Sequence, residues 1–100
     1  MDFASQEAQN RLYQAVLSLK TPEECKHFFD DLCTIKELQD LSQRLEVAEM
    51  LYDGKNYQEV SRQTGASTAT ISRVNKCLNY GSNGYETALQ RMKGTQKTQS

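Results

Sequence analysis

Residues 63–78 read QTGASTATISRVNKCL, and this stretch indicates the fold more clearly than any other part of the chain. Two helices that meet at a sharp angle need a residue tolerant of positive φ at the corner and a small residue where they touch. Gly65 and Ser61 meet these two needs. Apolar residues that close the angle recur at helical spacing on both sides of the glycine: Val60, Ala66, Ile71 and Val74. The pattern predicts a helix-turn-helix.

The rest of the chain is also predicted to be helical, because no run of β-branched residues alternates as a strand requires. Residues 21–24 (TPEE) and 34–37 (TIKE) have the capping-box pattern that starts a helix. Ser5 and Ser42 are predicted to cap two further helices, and Gly54 to end one of them. We therefore expect an all-α protein of about six short helices.

Charge is distributed unevenly along this small, 100-residue single domain. Residues 1–53 contain five Lys or Arg against eleven Asp or Glu, a net charge of −6, whereas residues 54–100 contain seven against two, a net charge of +5. This asymmetry favours a basic half that faces a polyanion, with chance clustering as the alternative. We expect a helical dimerisation body over 1–53, a helix-turn-helix over 54–80, a C-terminal loop and short helix over 81–92, and a disordered tail over 93–100.

The first helix predicts a partner chain. Leu12 and Val16 form one apolar stripe, and Tyr13 and Leu17 form a second beside it. A chain with 37% hydrophobic residues and a mean hydropathy of −0.75 buries only a modest core alone. A helix-turn-helix also normally works as a two-fold dimer, with its recognition helices about 34 Å apart on DNA. Both observations favour a homodimer.

The second helix of the motif turns a polar face outward if Ile71 and Val74 point inward. Ser67 is a predicted N-cap, so this helix start can approach a phosphate. Thr68 and Ala69 are short enough to bring the backbone near base edges and to touch thymine methyl groups. The residues predicted to contact double-stranded DNA are Gln58, Arg62, Ser67, Thr68, Ala69, Thr70, Ser72, Arg73 and Lys76. The alternative is a helical hairpin in a packed bundle, whose polar face is only solvated.

The remaining reactive side chains do not predict an enzyme, a cofactor or a metal site. Cys25 and His27 point about 200° apart on a helix, so they cannot converge on one ion with Cys33. We expect buried cysteines at 25 and 33 and a packing role for Cys77. The sequence shows no arrangement typical of a catalytic nucleophile and no phosphate-binding loop. The odd cysteine count, and the lack of a signal peptide or of a run of about 18 apolar residues, predict a cytoplasmic protein.

Residues 38–78, LQDLSQRLEVAEMLYDGKNYQEVSRQTGASTATISRVNKCL, resemble the bacterial tryptophan repressor. The whole chain is more similar to the YerC/YecD group of tryptophan-repressor-like proteins. The matching motifs are QRLEVAEML…G, the helix-turn-helix and the ATISR within it. The resemblance implies an all-helical homodimer with interlocked N-terminal helices and a DNA reader on each side. It also implies that Thr68, Ala69 and Ser72 read bases and that Gln58 contacts a phosphate.

The family's co-ligand, L-tryptophan, is held partly by two arginines. Arg44 and Arg73 match them if one residue drops out between positions 54 and 58. The family's glycine after the second arginine is Val74 here, and a serine that helps to hold the amino acid is Cys77. A valine side chain occupies volume that the indole needs. We therefore expect a different small-molecule effector at Arg44, Arg73, Val74 and Cys77, or none.

These observations predict a sequence-specific, DNA-binding transcriptional regulator of the tryptophan-repressor-like type that does not depend on tryptophan. One rival is a helical protein-interaction module that docks on another regulator through its acidic half. A further alternative keeps the repressor's logic with a different small acidic ligand, bound between Arg44 and Arg73, that repositions the reading helix.

Overall fold

The computed structural model describes the backbone of residues 3–99 and the side-chain burial of residues 5–94, and every regular element in this range is an α-helix. The helices are α1 (Phe3–Ser18), α2 (Pro22–Leu32), α3 (Ile35–Tyr52), α4 (Tyr57–Thr64), α5 (Thr68–Tyr80) and α6 (Gly84–Gln99). The predicted all-α fold is confirmed. The chain divides into two compact units, Met1–Leu38 and Gln39–Ser100, and the division falls within α3.

Both predicted capping-box sequences start helices in the first unit, and the pair at Thr34 and Glu37 forms the complete reciprocal box. The Thr21 hydroxyl accepts from the backbone N–H of Glu24 at 3.1 Å, and the Glu24 carboxylate accepts from the backbone N–H of Lys20 at 2.8 Å. The Thr34 hydroxyl accepts from the backbone N–H of Glu37 at 3.0 Å, and the Glu37 carboxylate accepts from the backbone N–H of Thr34 itself at 2.8 Å. These bonds satisfy backbone donors that the first turn of a helix leaves without an intrahelical partner.

Apolar side chains of the first unit stay accessible in the single chain. Among residues 5–38, whose burial the structure describes, none is buried. Leu17 and Ile35 are 83% and 81% exposed. Cys25 and Cys33, which the sequence predicts to be buried, are only half-buried, and Leu32 of the same helix is 50% exposed. The prediction is wrong because a unit of so few helices covers only part of each helix surface.

The second unit contains the buried core. Its members come from α3, α4, the following turn, α5 and α6: Val47, Ala48, Val60, Ala66, Ile71, Val74 and Leu89. All four apolar residues predicted to close the helix-turn-helix angle are among them, so this prediction is confirmed. Fully burying one aliphatic side chain of this size stabilises the folded state by about 1.5–3 kcal/mol, so shared burial fixes α4 against α5.

The structure differs from the sequence predictions at three helix boundaries. Ser42 does not begin a helix, because α3 is continuous and the residues around it include no glycine or proline that would break it. Ser5 likewise lies inside α1. α6 continues through residues 93–99, where the sequence predicts a disordered tail. At the start of this segment the Lys93 ammonium pairs with the Asp53 carboxylate and lies 5.0 Å from the Tyr52 ring centroid.

Candidate nucleic-acid interface

The turn between α4 and α5 has the geometry that a helix-turn-helix requires. Gly65 adopts the left-handed conformation, with φ 73° and ψ 6°, and its N–H donates to the Ser61 carbonyl oxygen at 2.9 Å. The Ser61 hydroxyl donates to the Ala66 carbonyl oxygen at 3.2 Å, and the Thr64 hydroxyl donates to the Val60 carbonyl oxygen at 2.8 Å. The predicted positive φ at Gly65 is confirmed, and the side chains around it satisfy backbone carbonyls at the corner.

Side chains also cap the N-termini of α4 and α5. The Asn56 side chain accepts from the backbone N–H of Glu59 at 2.9 Å. Ser67 accepts from the backbone N–H of Thr70 at 3.1 Å, which confirms the predicted N-cap of α5. No acidic residue stands in the first turn of α5. Its start therefore keeps the partial positive charge of a helix N-terminus, which favours an anion.

α5 presents one face to the core and the other to solvent. Ile71 and Val74 are each 1% exposed. The exposed members of the predicted DNA-contacting set are Gln58, Arg62, Ser67, Thr68, Ala69, Ser72, Arg73 and Lys76, while Thr70 is half-buried. The outward side of α5 combines short hydroxyl and methyl groups with two cations and has no carboxylate. It can therefore approach both base edges and phosphates.

A groove of about 370 Å³ joins the two helices of the motif on this outward side. It brings Gln58 and Arg62 of α4 together with Thr68 of α5, all three of which the sequence assigns to DNA contact. Tyr57 lines the same groove and is 38% exposed, although the sequence does not predict a role for it. The sequence signal that could have found it is an aromatic residue directly before Gln58.

A carboxylate on α4 holds one of the cations that the sequence predicts to contact DNA. Glu59 Oε2 lies 3.0 Å from Arg62 Nη2, and Glu59 Oε1 accepts from Gln63 Nε2 at 2.6 Å. The hydrogen bonds from Arg62 and then from Gln63 lower the pKa of the Glu59 carboxyl from its ordinary value of 4.5. The spacing of three and four residues from Glu59 was a signal for this arrangement that the sequence predictions missed.

Arg44 and Arg73 come together at a second cavity of about 300 Å³, whose other lining residues are Asp40, Gln43 and Thr70. The Arg44 Nε donates to the Asp40 carbonyl oxygen at 3.4 Å. Two guanidinium groups beside a hydroxyl can bind a small molecule that carries a carboxylate, because a guanidinium offers paired donors to its two oxygens. Thr70, predicted to face DNA, thus also borders this cavity.

Val74 and Cys77, which the resemblance places at the same ligand site, do not line this cavity. Val74 belongs to the buried core, so the valine at the family's glycine position fills core space here. Cys77 is exposed, and its predicted packing role is wrong for the single chain. The buried positions of α5 end at Val74, and Leu78 is only partly buried against the core, so the last turns of the helix leave the thiol uncovered.

The described residues contain neither a metal-binding cluster nor a membrane-spanning helix. No three His, Cys, Asp or Glu side chains within them are placed to hold a metal ion, Cys25, His27 and Cys33 included. None of the described helices is both long and apolar enough to cross a membrane.

Comparison with known proteins agrees with this arrangement. Residues 7–93 match the profile of the Trp repressor protein family. The chain is 58% identical over 91 residues to the uncharacterized protein YerC of Bacillus subtilis, covering 91% of this chain and 88% of that protein. Its fold matches a crystal structure of a candidate Trp repressor from Staphylococcus aureus, with a TM-score of 0.84, 46% identity, and coverage of 93% and 95% of the two chains. It also matches a TrpR-like protein from Eubacterium eligens, with a TM-score of 0.83, 52% identity, and coverage of 87% and 90%. The chain therefore belongs to the Trp repressor family and is consistent with its YerC group.

Proposed function

We propose that this Trp-repressor-like regulator is a cytoplasmic protein that binds operator DNA sequence-specifically as a homodimer. The outward face of α5 is the observation that carries the proposal. Thr68, Ala69 and Ser72 are exposed there, while Ile71 and Val74 of the same helix are buried. The base-reading side chains are thus held on a helix whose inner face is fixed in the core, as direct readout in a major groove requires.

The first unit supports the proposed homodimer. Tyr13 and Leu17 of α1 are 55% and 83% exposed, and Ile35 at the start of α3 is 81% exposed. Large apolar side chains on adjacent stretches of a chain indicate a surface that another chain covers. A two-fold dimer doubles the contacts of one short reading helix and places the two readers about 34 Å apart, one turn of DNA.

The test is an in vitro selection of random duplex DNA with the purified protein and no added ligand. Enrichment of a roughly palindromic site supports a dimeric reader that is active unaided. If no sequence is enriched, the reading helix requires a ligand or a partner, or the protein is not a DNA reader.

Arg73→Ala distinguishes two roles for Arg73 on the selected site. If Arg73 reads a base, the variant loses about 1–3 kcal/mol of binding free energy and accepts other bases at one position. If Arg73 contacts a phosphate or a ligand, the base preference survives. Competition binding with single-base variants of the site measures both quantities, and unchanged affinity together with unchanged preference contradicts a contact role.

Salt dependence separates DNA binding from the rival function of docking on another regulator. Affinity that depends on several phosphate contacts falls steeply as salt rises from about 50 to about 200 mM. The reason is that protein binding releases counterions from the DNA, and this release becomes less favourable at higher salt. Affinity for a protein partner through a mainly apolar interface changes little over this range.

The cavity between Arg44 and Arg73 favours a second candidate, in which a small acid other than tryptophan controls DNA binding. Thermal denaturation across amino acids and related carboxylic acids tests it, since a ligand that binds the folded state raises the melting temperature. Arg44→Ala is the control, because it removes one guanidinium from the cavity without altering the outward face of α5. The candidate is refuted if no acid raises the melting temperature of the wild type. It is also refuted if every acid that does so stabilises Arg44→Ala equally.

A further inference from the structure

Glu59 is an acidic residue in the basic half of the chain, and its ion-pair partner Arg62 lines the outward groove. Residues 54–100 contain only two acidic residues, Glu59 and Glu86, against seven Lys or Arg. Glu59 stands in the first turn of α4, one residue after Gln58, which lines the outward groove with Arg62. A carboxylate repels nearby phosphates, so this position works against sequence-independent attraction to DNA.

The Glu59 carboxylate also forms an ion pair with Arg62, the cation that would contact DNA. It accepts from Arg62 at 3.0 Å with one oxygen and from Gln63 at 2.6 Å with the other. A carboxylate and a phosphate bind a guanidinium through the same kind of charge-assisted hydrogen bonds, so Glu59 competes directly with a DNA phosphate for Arg62.

The Glu59–Arg62 pair is weak enough for a DNA phosphate to displace it. The Arg62 and Glu59 side chains are 70% and 33% exposed, and exposed pairs of this type are weak and screened by salt. The pair therefore reduces phosphate binding at α4 without abolishing it.

We propose that Glu59 limits sequence-independent DNA binding by holding Arg62 in an internal pair that phosphate must displace. This inference rests on the proposed function, since it requires that α4 faces DNA. It assigns Glu59 a role in specificity: a lower phosphate contribution leaves a larger share of the affinity to the base contacts of α5.

The experiment measures binding of a fluorescent duplex of about 20 base pairs and arbitrary sequence by anisotropy, at salt concentrations from about 50 to about 200 mM. Glu59→Gln is compared with the wild type, because glutamine keeps the shape of the side chain and removes its charge. Glu86→Gln is the matched control. Glu86 is also in the first turn of its helix and also accepts from a glutamine four residues later, at 3.4 Å, but it lies on α6. Far-UV circular dichroism confirms that all variants are folded.

Glu59→Gln should bind the arbitrary duplex more tightly than the wild type, with a steeper dependence on salt. One additional phosphate contact steepens the slope of log affinity against log salt by about 0.9, so the advantage of the variant falls by about 3.5-fold over this salt range. Glu86→Gln should keep the wild-type slope. In an Arg62→Gln background, Glu59→Gln should no longer steepen the slope.

Each contrary result has a distinct meaning. An unchanged or shallower slope in Glu59→Gln, with wild-type binding intact, overturns this inference alone. The same steepening with and without Arg62 also overturns it, because the effect is then general charge repulsion. If neither the wild type nor Glu59→Gln binds the arbitrary duplex, and the selection enriches no site, the inference falls together with the proposed function.

Discussion

Replacing Gly65 with alanine tests whether the left-handed corner fixes the helix-turn-helix. Gly65 has φ 73°, and a Cβ built on it meets no atom within 4 Å, so the substitution alters backbone conformation without a steric clash. The left-handed region costs a residue with a Cβ about 1–2 kcal/mol. Alanine recovers about 0.4–1 kcal/mol, because it reduces the conformational entropy of the unfolded chain. We expect a net loss of about 1 kcal/mol, equivalent to a melting temperature lower by about 4–8 °C.

The loss is measured by urea unfolding, followed by far-UV circular dichroism at one protein concentration, since association makes apparent stability depend on concentration. Gly84→Ala is the control, because its Cβ also meets no atom within 4 Å and its φ is not positive. It should be neutral or slightly stabilising. Gly65→Asn should lose less than Gly65→Ala, since asparagine tolerates this region, as Asn83 does at φ 67°. A Gly65→Ala variant as stable as Gly84→Ala refutes the reasoning.

Two further predictions concern the core and the α4 carboxylate. Ile71 is 1% exposed, so Ile71→Ala should lower the free energy of unfolding in urea by about 2–5 kcal/mol. Ser72→Ala on the exposed face should change it by no more than about 0.5 kcal/mol. Equal losses would contradict the assignment of the two faces of α5. Glu59 has a lowered pKa in the folded state, so its pairing with Arg62 stabilises the protein above pH 4.5 and this contribution disappears as pH falls through the lowered value. The stability difference between wild type and Glu59→Gln should therefore be present at neutral pH and absent well below the folded-state pKa, and a difference that persists in acid would argue against the pairing.

Features encoded by neighbouring residues were predictable from the sequence. The helix starts at Thr21 and Thr34 need only a hydroxyl and a glutamate three residues later. The corner at Gly65 and the burial of Ile71 and Val74 follow from one glycine and from helical periodicity. Each of these signals lies within a few residues, so tertiary structure was not needed to interpret it.

Features that depend on distant residues or on competing local signals were not predictable. Ser42 has the side chain of an N-cap, but nothing ends the helix before it, and α3 continues through the position. The continuation of α6 past residue 92 accompanies a contact between Lys93 and Asp53, which are 40 residues apart. A local pattern cannot reveal such a pair.

The candidate site divides in the same way. The outward positions of α5 follow from periodicity once its buried face is known. The placement of Arg44 and Arg73 at one cavity was predicted from the family resemblance, because no local pattern relates residues on α3 and α5. Thr70 is half-buried and borders the same cavity, whereas the sequence assigned it simply to the DNA face.

If α5 reads DNA as proposed, its two faces separate selection for stability from selection for target sequence. Ile71 and Val74 keep the helix in place, while Thr68, Ala69 and Ser72 contribute nothing to the buried core. Substitutions at such exposed positions usually change stability by less than about 0.5 kcal/mol. Under the proposed function, a gene duplicate of this protein can therefore diverge toward a new operator by changing its outer face while the scaffold stays intact. The same separation makes the outer face a practical place to graft the corresponding residues of a relative.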